Sequence, residues 1–303
     1  MIHLTASVGV SIYPDDGDTE EELMNNAIIA MNKAKELGKN GYQLFNFKMK
    51  EDLWQKINIE LLLMKAIKNN EFVLYYQPQY TIKNRKLKLR GFEALIRWDS
   101  PELGFLNPIE FIPIAEETGL ITQIGEWVLN RACSTCKNLE DKYGCNLIMA
   151  VNISPIQLKR SEFHGMVLKA LEVSGLKPTS LELEVTESIF IDNYDCTANK
   201  LRYIKELGVG IALDDFGTGY SSLSYLRKLP IDLLKIDKSF VQDIDPLHPD
   251  NNLIESIIAL VNKLNIKTIA EGVETLQQFD YLIEANCDYL QGYITLGNHK
   301  WKS

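Results

Sequence analysis

Between Phe72 and Tyr293 the sequence alternates short runs rich in Val, Ile, Leu and Tyr with longer amphipathic stretches, and few folds accommodate that alternation. The runs are Phe72–Gln77, Leu89–Trp98, Leu147–Ile153, Leu181–Thr186, Val209–Asp214, Leu233–Asp237, Thr268–Gly272 and Asp288–Tyr293. Helical periodicity fills Ile121–Glu140, Ser161–Ser174, Asp195–Leu207, Asn252–Leu264 and Thr275–Ala285, and an irregular Pro-containing segment occupies Asp245–Pro249. Strands that alternate with helices form a mostly parallel sheet, because each helix carries the chain back across a face. Eight strands predict closure into a barrel, which takes roughly 250 residues; the chain has 303.

One interval breaks the alternation. Only the basic stretch Lys83–Lys88 lies between Gln77 and the run that holds Glu93. Parallel neighbours need a crossover of about a dozen residues or more, so the first strand is predicted antiparallel to the second. The fold class is therefore α/β: a (β/α)8 TIM-like barrel with an antiparallel first strand, plus a small N-terminal α+β fragment. In that fragment Leu4–Tyr13 reads as a strand, Pro14–Gly17 as a turn and Glu20–Leu37 as a helix. Thr19 caps the helix with Glu22 at the capping-box position, and Tyr42–Phe45 makes a second strand. Such a unit is too small to bury a core alone. A helix over Asp52–Asn69 leads into the barrel.

The formal net charge of −9 argues against a nucleic-acid polymer as partner, since backbone binding needs clustered Lys and Arg. A phosphate-bearing substrate stays open, because bound cations reverse the local sign of a site. No apolar run reaches the ~18 residues of a membrane span, and Met1 to Gly17 does not read as a signal peptide; no membrane contact and a cytoplasmic setting are expected. The five cysteines are odd in number and scattered, unlike a secreted disulfide framework. Cys133 and Cys136 read as buried helix residues, since no second Cys or His pair completes a zinc site. None of the four histidines sits at a strand end.

Polar residues gather at the C-terminal ends of the strands, where barrel active sites form. They are Glu93 and Arg97, Asn152, Glu184 and Glu187, Asp214 and Asp215, Lys235 and Asp237, Glu271 and Glu274, and Gln291. Several carboxylates in one pocket repel, and some stay protonated without counter-charge. Divalent cations remove the problem. Oxygen donors without His or Cys suit Mg²⁺ or Mn²⁺, and this many suggest two ions about 3.5–4 Å apart, an arrangement for in-line attack on phosphorus. Lys235 is placed to orient or deprotonate a water, and Arg97 to hold a phosphate through its fork of donors. A single acid at a βα junction is more often a helix cap, and Glu187 and Glu274 fit that. The set does not, because Glu93 and Asp214-Asp215 lie in apolar strand text, where burial without a partner costs several kcal/mol. Gly217 and Gly219 permit a mobile loop after the Asp pair.

These residues resemble the EAL-domain family of cyclic di-GMP phosphodiesterases. The resemblance rests on Gln77-Pro78, Glu93-Ala94-Leu95-Ile96-Arg97-Trp98, Val151-Asn152-Ile153-Ser154, Glu184-Val185-Thr186-Glu187, Asp214-Asp215-Phe216-Gly217-Thr218-Gly219, Lys235-Ile236-Asp237, Ala270-Glu271-Gly272-Val273-Glu274 and Gln291-Gly292-Tyr293, in that order from about Asp52 to Tyr293. It implies hydrolysis of one phosphodiester of cyclic di-GMP to give linear pGpG. It further implies metal ligation by Glu93, Asn152, Glu184, Asp214, Asp215 and Glu271, and catalytic roles for Lys235, Glu271 and Glu93. Substrate contacts would come from Gln77, Leu95, Arg97, Asp237 and Gln291, with Glu187 anchoring the Gly-rich loop. A homodimer through the barrel is implied as well.

The first fifty residues resemble the C-terminal part of a GGDEF (diguanylate cyclase) domain, through Thr5-Ala6-Ser7-Val8-Gly9-Val10, Ala30-Met31-Asn32-Lys33-Ala34-Lys35 and Gly38-Lys39-Asn40-Gly41-Tyr42. The Gly-Gly-Asp-Glu-Phe loop is absent, so no cyclase activity is expected. The division is then a GGDEF remnant over 1–50 and an EAL barrel over 51–303, a piece of a larger parent that could itself be membrane-attached. After Tyr293 the sequence departs from the family, which continues into a Pro-containing segment and a closing helix. A receptor that holds cyclic di-GMP without cleaving it is the rival reading; an inactive fragment is a third.

Overall fold

The structure, a computed structural model, describes residues 4–83, 86–190, 194–216, 226, 228–244 and 253–293, without the side chains of Lys83 and Asp215. Expectations for Asp245–Pro249, for the Gly-rich loop after Phe216 and for the segment after Tyr293 fall outside the described residues.

Near the N-terminus, β1 (Val8–Val10) and β2 (Tyr42–Leu44) pair in parallel through the crossover helix α1 (Glu20–Glu36). The Thr19 hydroxyl accepts from the Glu22 N–H, as expected, but Glu22 Oε2 accepts from Asp18 instead of Thr19. The capping box is thus half formed. The next helix, α2 (Phe47–Asn69), starts earlier than the predicted Asp52, because Asn46 Oδ1 takes the Met49 N–H at 3.0 Å and caps it there. It packs against both α1 and α3 (Pro108–Thr118).

The barrel strands are β3 (Phe72–Lys83), β4 (Lys86–Ser100), β6 (Ile148–Asn152), β7 (Leu181–Thr186), β8 (Gly210–Phe216), β9 (Leu233–Ile236), β10 (Lys267–Ala270) and β11 (Tyr289–Gln291), while β5 (Gly104–Leu106) folds back on the end of β4. They close in the order β3-β11-β10-β9-β8-β7-β6-β4, with β4 pairing back to β3. β3 runs antiparallel to both neighbours, β4 and β11, and all other adjacent barrel strands are parallel. The missing crossover is therefore a hairpin, with arms reaching Lys83 and Lys86. Around the barrel lie α4 (Ile121–Tyr143), α5 (Pro155–Lys159), α6 (Phe163–Ser174), α7 (Tyr194–Glu206), α8 (Lys238–Gln242), α9 (Leu253–Lys263) and α10 (Leu276–Glu284). Periodicity does not predict α3, which carries Pro113 in its interior.

Side-chain alternation sorts the strands into two apolar groups. Ile211, Leu213, Leu234, Ile236, Ala270 and Leu290 belong to the main core, which includes helix residues such as Leu129, Val167 and Ile258. Ala212, Leu233 and Ile269 form a separate small cluster, with Tyr289 against it, inside the barrel. Both faces are buried, so the strands read as unbroken apolar runs. Cys133 and Cys136 lie in the main core, and burial pushes both thiols up to about 12; they pack as apolar side chains, as their spacing suggests. No helix of the described residues is long and apolar enough to cross a membrane.

Trp98 is fully buried at the top of β4, its ring 5.7 Å from Phe111 and 6.1 Å from Phe72, and its Nε1–H donates to Glu71 Oε2 at 2.9 Å. Trp98→Ala is expected to cost about 3–5 kcal/mol of unfolding free energy, the range for an aromatic cavity. Urea unfolding checks this, and a loss under about 1 kcal/mol would contradict the packing described.

Candidate active site at the barrel rim

Strand pairing brings the expected polar residues to one rim, with a stagger of two residues between some neighbours. Gln77 stands opposite Glu93, Asn152 beside Glu184, and Glu93 beside Ala150. The parity that points Ala212, Leu233 and Ile269 into the barrel also points in Asp214, Lys235 and Glu271, two residues further along each strand. Lys235 is the centre of the arrangement. Its Nζ lies 2.7 Å from Glu184 Oε2, 2.8 Å from Glu271 Oε1, 3.2 Å from Asp214 Oδ2 and 3.6 Å from Glu93 Oε2. Glu93 is fixed from the other side: Asn152 Nδ2 donates to its Oε1 at 2.7 Å and Gln291 Nε2 to its Oε2 at 2.6 Å.

The electrostatics follow from four acids sharing one buried cation. Burial disfavours the Glu93 charge, but Lys235, Gln291 and Asn152 together outweigh it and hold the carboxyl below its usual range. Burial dominates at Glu184, with Glu93 and Asp214 adding repulsion, so its carboxyl is driven well above that range despite Lys235. Burial and Asp214 push Glu271 up to about 7. Burial works against the Lys235 ammonium, yet Glu184, Glu93, Asp214 and Glu271 keep it protonated far beyond the ordinary lysine range. The sequence places Lys235 at the attacking water; the structure also makes it the internal counter-charge of the acids.

Among the described residues no three of His, Cys, Asp and Glu surround one ion-sized point; the carboxylates close on Lys235 instead. The donor set nonetheless fits hard divalent cations. It is all oxygen from carboxylates and one amide, and Glu184 Oε1 is buried with no nitrogen donor and close to the Glu93 carboxyl, an arrangement that a shared proton or a cation satisfies. Glu271 Oε1 also lacks a well-aligned hydrogen bond, although Lys235 Nζ is near. Four acids outnumber the one ammonium, and divalent cations bound among them would favour their ionised forms.

The other expected site residues are distributed more widely. Arg97 Nη1 donates to the Ile96 carbonyl at 2.8 Å, and its guanidinium lies 5.8 Å from the centre of the Tyr75 ring. Leu95 is half-buried opposite Tyr75. Asp237 does not join the Lys235 cluster: its Oδ1 accepts from the Ser239 N–H at 2.9 Å and the Ser239 hydroxyl at 2.6 Å, capping α8. Glu187 opens a single 3-10 turn after β7. The Asp215 side chain lies outside the described residues.

Sequence reasoning missed a second polar level beneath the first. Gln79, Arg90 and Glu182 sit there. Arg90 donates to Glu182 through Nη2 at 2.5 Å and Nη1 at 3.1 Å, and stacks 4.5 Å from the centre of the Tyr289 ring. Glu182 was legible in principle, since it precedes Glu184 by one period of a strand. Arg90 was not, because strict alternation from Glu93 turns it outward. A β-bulge at Gln79/Tyr80 breaks the register and leaves Arg90 without a partner opposite, so its side chain enters the barrel. Gly91 beside it is forced by contact: a Cβ there would meet the Ile148 carbonyl oxygen at 1.9 Å.

Comparison with known proteins matches residues 62–296 to the model of the EAL domain. The chain belongs to the EAL domain family. It is 43% identical over 291 residues to the cyclic di-GMP phosphodiesterase NbdA of Pseudomonas aeruginosa, covering 96% of this chain and 37% of that protein. It is 41% identical over 293 residues to the bifunctional diguanylate cyclase/cyclic di-GMP phosphodiesterase MucR of the same organism, covering 97% of this chain and 42% of MucR. This EAL chain thus spans about two-fifths of the length of these relatives. A solved structure of the PaMucR phosphodiesterase in complex with c-di-GMP superposes with a TM-score of 0.73 at 40% identity, over 79% of this chain and 96% of that one.

Proposed function

We propose that this EAL chain is a metal-dependent phosphodiesterase that hydrolyses cyclic di-GMP to linear pGpG. The observation that carries the reading is the convergence of Glu93, Glu184, Asp214 and Glu271 on a buried Lys235 at the rim of an EAL barrel. Glu93, Asn152, Glu184, Asp214, Asp215 and Glu271 would hold two ions, Mg²⁺ or Mn²⁺. When bound, these supply charge neutralisation for the phosphodiester and a more acidic water. Lys235 Nζ, protonated and aimed between the acids, orients the attacking water. Glu271, beside Lys235 Nζ at 2.8 Å, is placed with it to receive a proton from that water. Gln77, Leu95, Arg97 and Gln291 contact substrate, with Arg97 on phosphate. Asp237 acts indirectly through the α8 cap, and Glu187 anchors the Gly-rich loop. Residues 1–50 are the remnant of a GGDEF domain and 51–303 the barrel unit, with residue 50 falling inside α2; the barrel forms a homodimer.

The test is incubation of purified protein with cyclic di-GMP and Mn²⁺ or Mg²⁺, followed by separation of the nucleotides. Accumulation of pGpG is expected. Excess EDTA should abolish it, and restoring the cation should recover it. Turnover that survives exhaustive chelation would sink the metal-dependent reading, whereas tight binding without pGpG would favour a receptor.

A further inference from the structure

We propose that Arg90, Glu182 and Gln79 act as a positioning relay that fixes the orientation of the Gln291 amide, and through it the Glu93 carboxylate. Arg90 Nη1 donates to Gln79 Oε1 at 2.6 Å, Gln79 Nε2 to Gln291 Oε1 at 3.0 Å, and Gln291 Nε2 to Glu93 Oε2 at 2.6 Å. The chain of bonds joins β4 to β3, β11 and back to β4. Its direction is set at its ends. A guanidinium can only donate and an ionised carboxylate can only accept, so each amide between them has one satisfying orientation. Gln79 is fully buried and Gln291 nearly so, which removes water as a substitute partner. Glu182 is bidentate on Arg90, and the two side chains are only 6% and 11% exposed, so the guanidinium is held in place by charge as well as by the Tyr289 ring. The hydrogen bonds of Gln79, Arg90 and Glu182 run to one another and to Gln291. They act through Gln291, so that one Glu93 oxygen carries a fixed donor while the carboxylate is presented in a single pose.

The proposal rests on the metal-binding reading above, and its test separates the two. Gln79→Glu keeps the shape of the side chain and can still accept from Arg90, but cannot donate to Gln291. Gln291 must then turn its amide N–H toward residue 79 and its carbonyl toward Glu93. Gln79→Met removes both bonds with little change of volume. The measurement is Mn²⁺ affinity by calorimetry on the nucleotide-free protein, with thermal unfolding in EDTA and the kcat and KM for cyclic di-GMP alongside. Both variants are expected to fold, to bind Mn²⁺ about 10–100-fold more weakly, the range for partners of metal ligands, and to lose kcat at nearly unchanged KM. Gln79→Glu should be the worse of the two. Wild-type Mn²⁺ affinity in both variants overturns the relay alone; a wild-type protein that binds no Mn²⁺ overturns the metal-site reading and the relay with it.

Discussion

Glu93→Ala is expected to lower cyclic di-GMP turnover by roughly 10³-fold or more, a barrier increase of about 4 kcal/mol, while the barrel stays folded. Glu93 is held ionised by direct donors on both oxygens, from Asn152 and Gln291. Truncation leaves those two amide donors facing a small void, at about 1–3 kcal/mol for each unpaired group. Loss of repulsion with Glu184 offsets part of that cost. The variant should therefore show native circular dichroism, a modestly lower melting temperature and no resolvable pGpG. A fully active variant would remove Glu93 from the metal site.

Lys235→Met should strongly destabilise the fold. The ammonium is shared by four carboxylates and is 1% exposed. Deleting one partner of a buried ion network costs about 3–5 kcal/mol, because the remaining charges stay buried and unpaired. In EDTA the melting temperature is expected to fall by roughly 6–20 °C, taking about 2–4 °C per kcal/mol for a domain of this size. Mn²⁺ should return a large part of that loss, since cations that bind the folded state stabilise it by mass action. Turnover should not return with it, because no donor would then orient the water. Equal melting temperatures for variant and wild type in EDTA would show that Lys235 is not the internal counter-charge.

The sequence carried the fold because its signals are local. Short apolar strand runs, helices between them and a gap too short for a crossover follow from backbone geometry, and they predicted a closed barrel with β3 antiparallel. The same locality exposed the acids, since Glu93, Glu184, Asp214 and Glu271 interrupt apolar strand text. Element ends were less legible where a cap decides them, as with Asn46 at α2. The role of Asp237 was also hidden, because a cap depends on which backbone N–H lies two residues on.

What only the tertiary structure decided is which of these residues meet. Gln291 reaches Glu93 across 198 positions of sequence, a contact set by barrel closure and not by any local pattern. Closure also put one lysine among four acids, and the bulge at Gln79/Tyr80 turned Arg90 inward against the parity of its strand. The alternation of the sequence determined that polar side chains would line the barrel. Register and closure determined their partners, because side-chain direction along a strand is a property of neighbouring residues, whereas the distance between strands is a property of the whole ring.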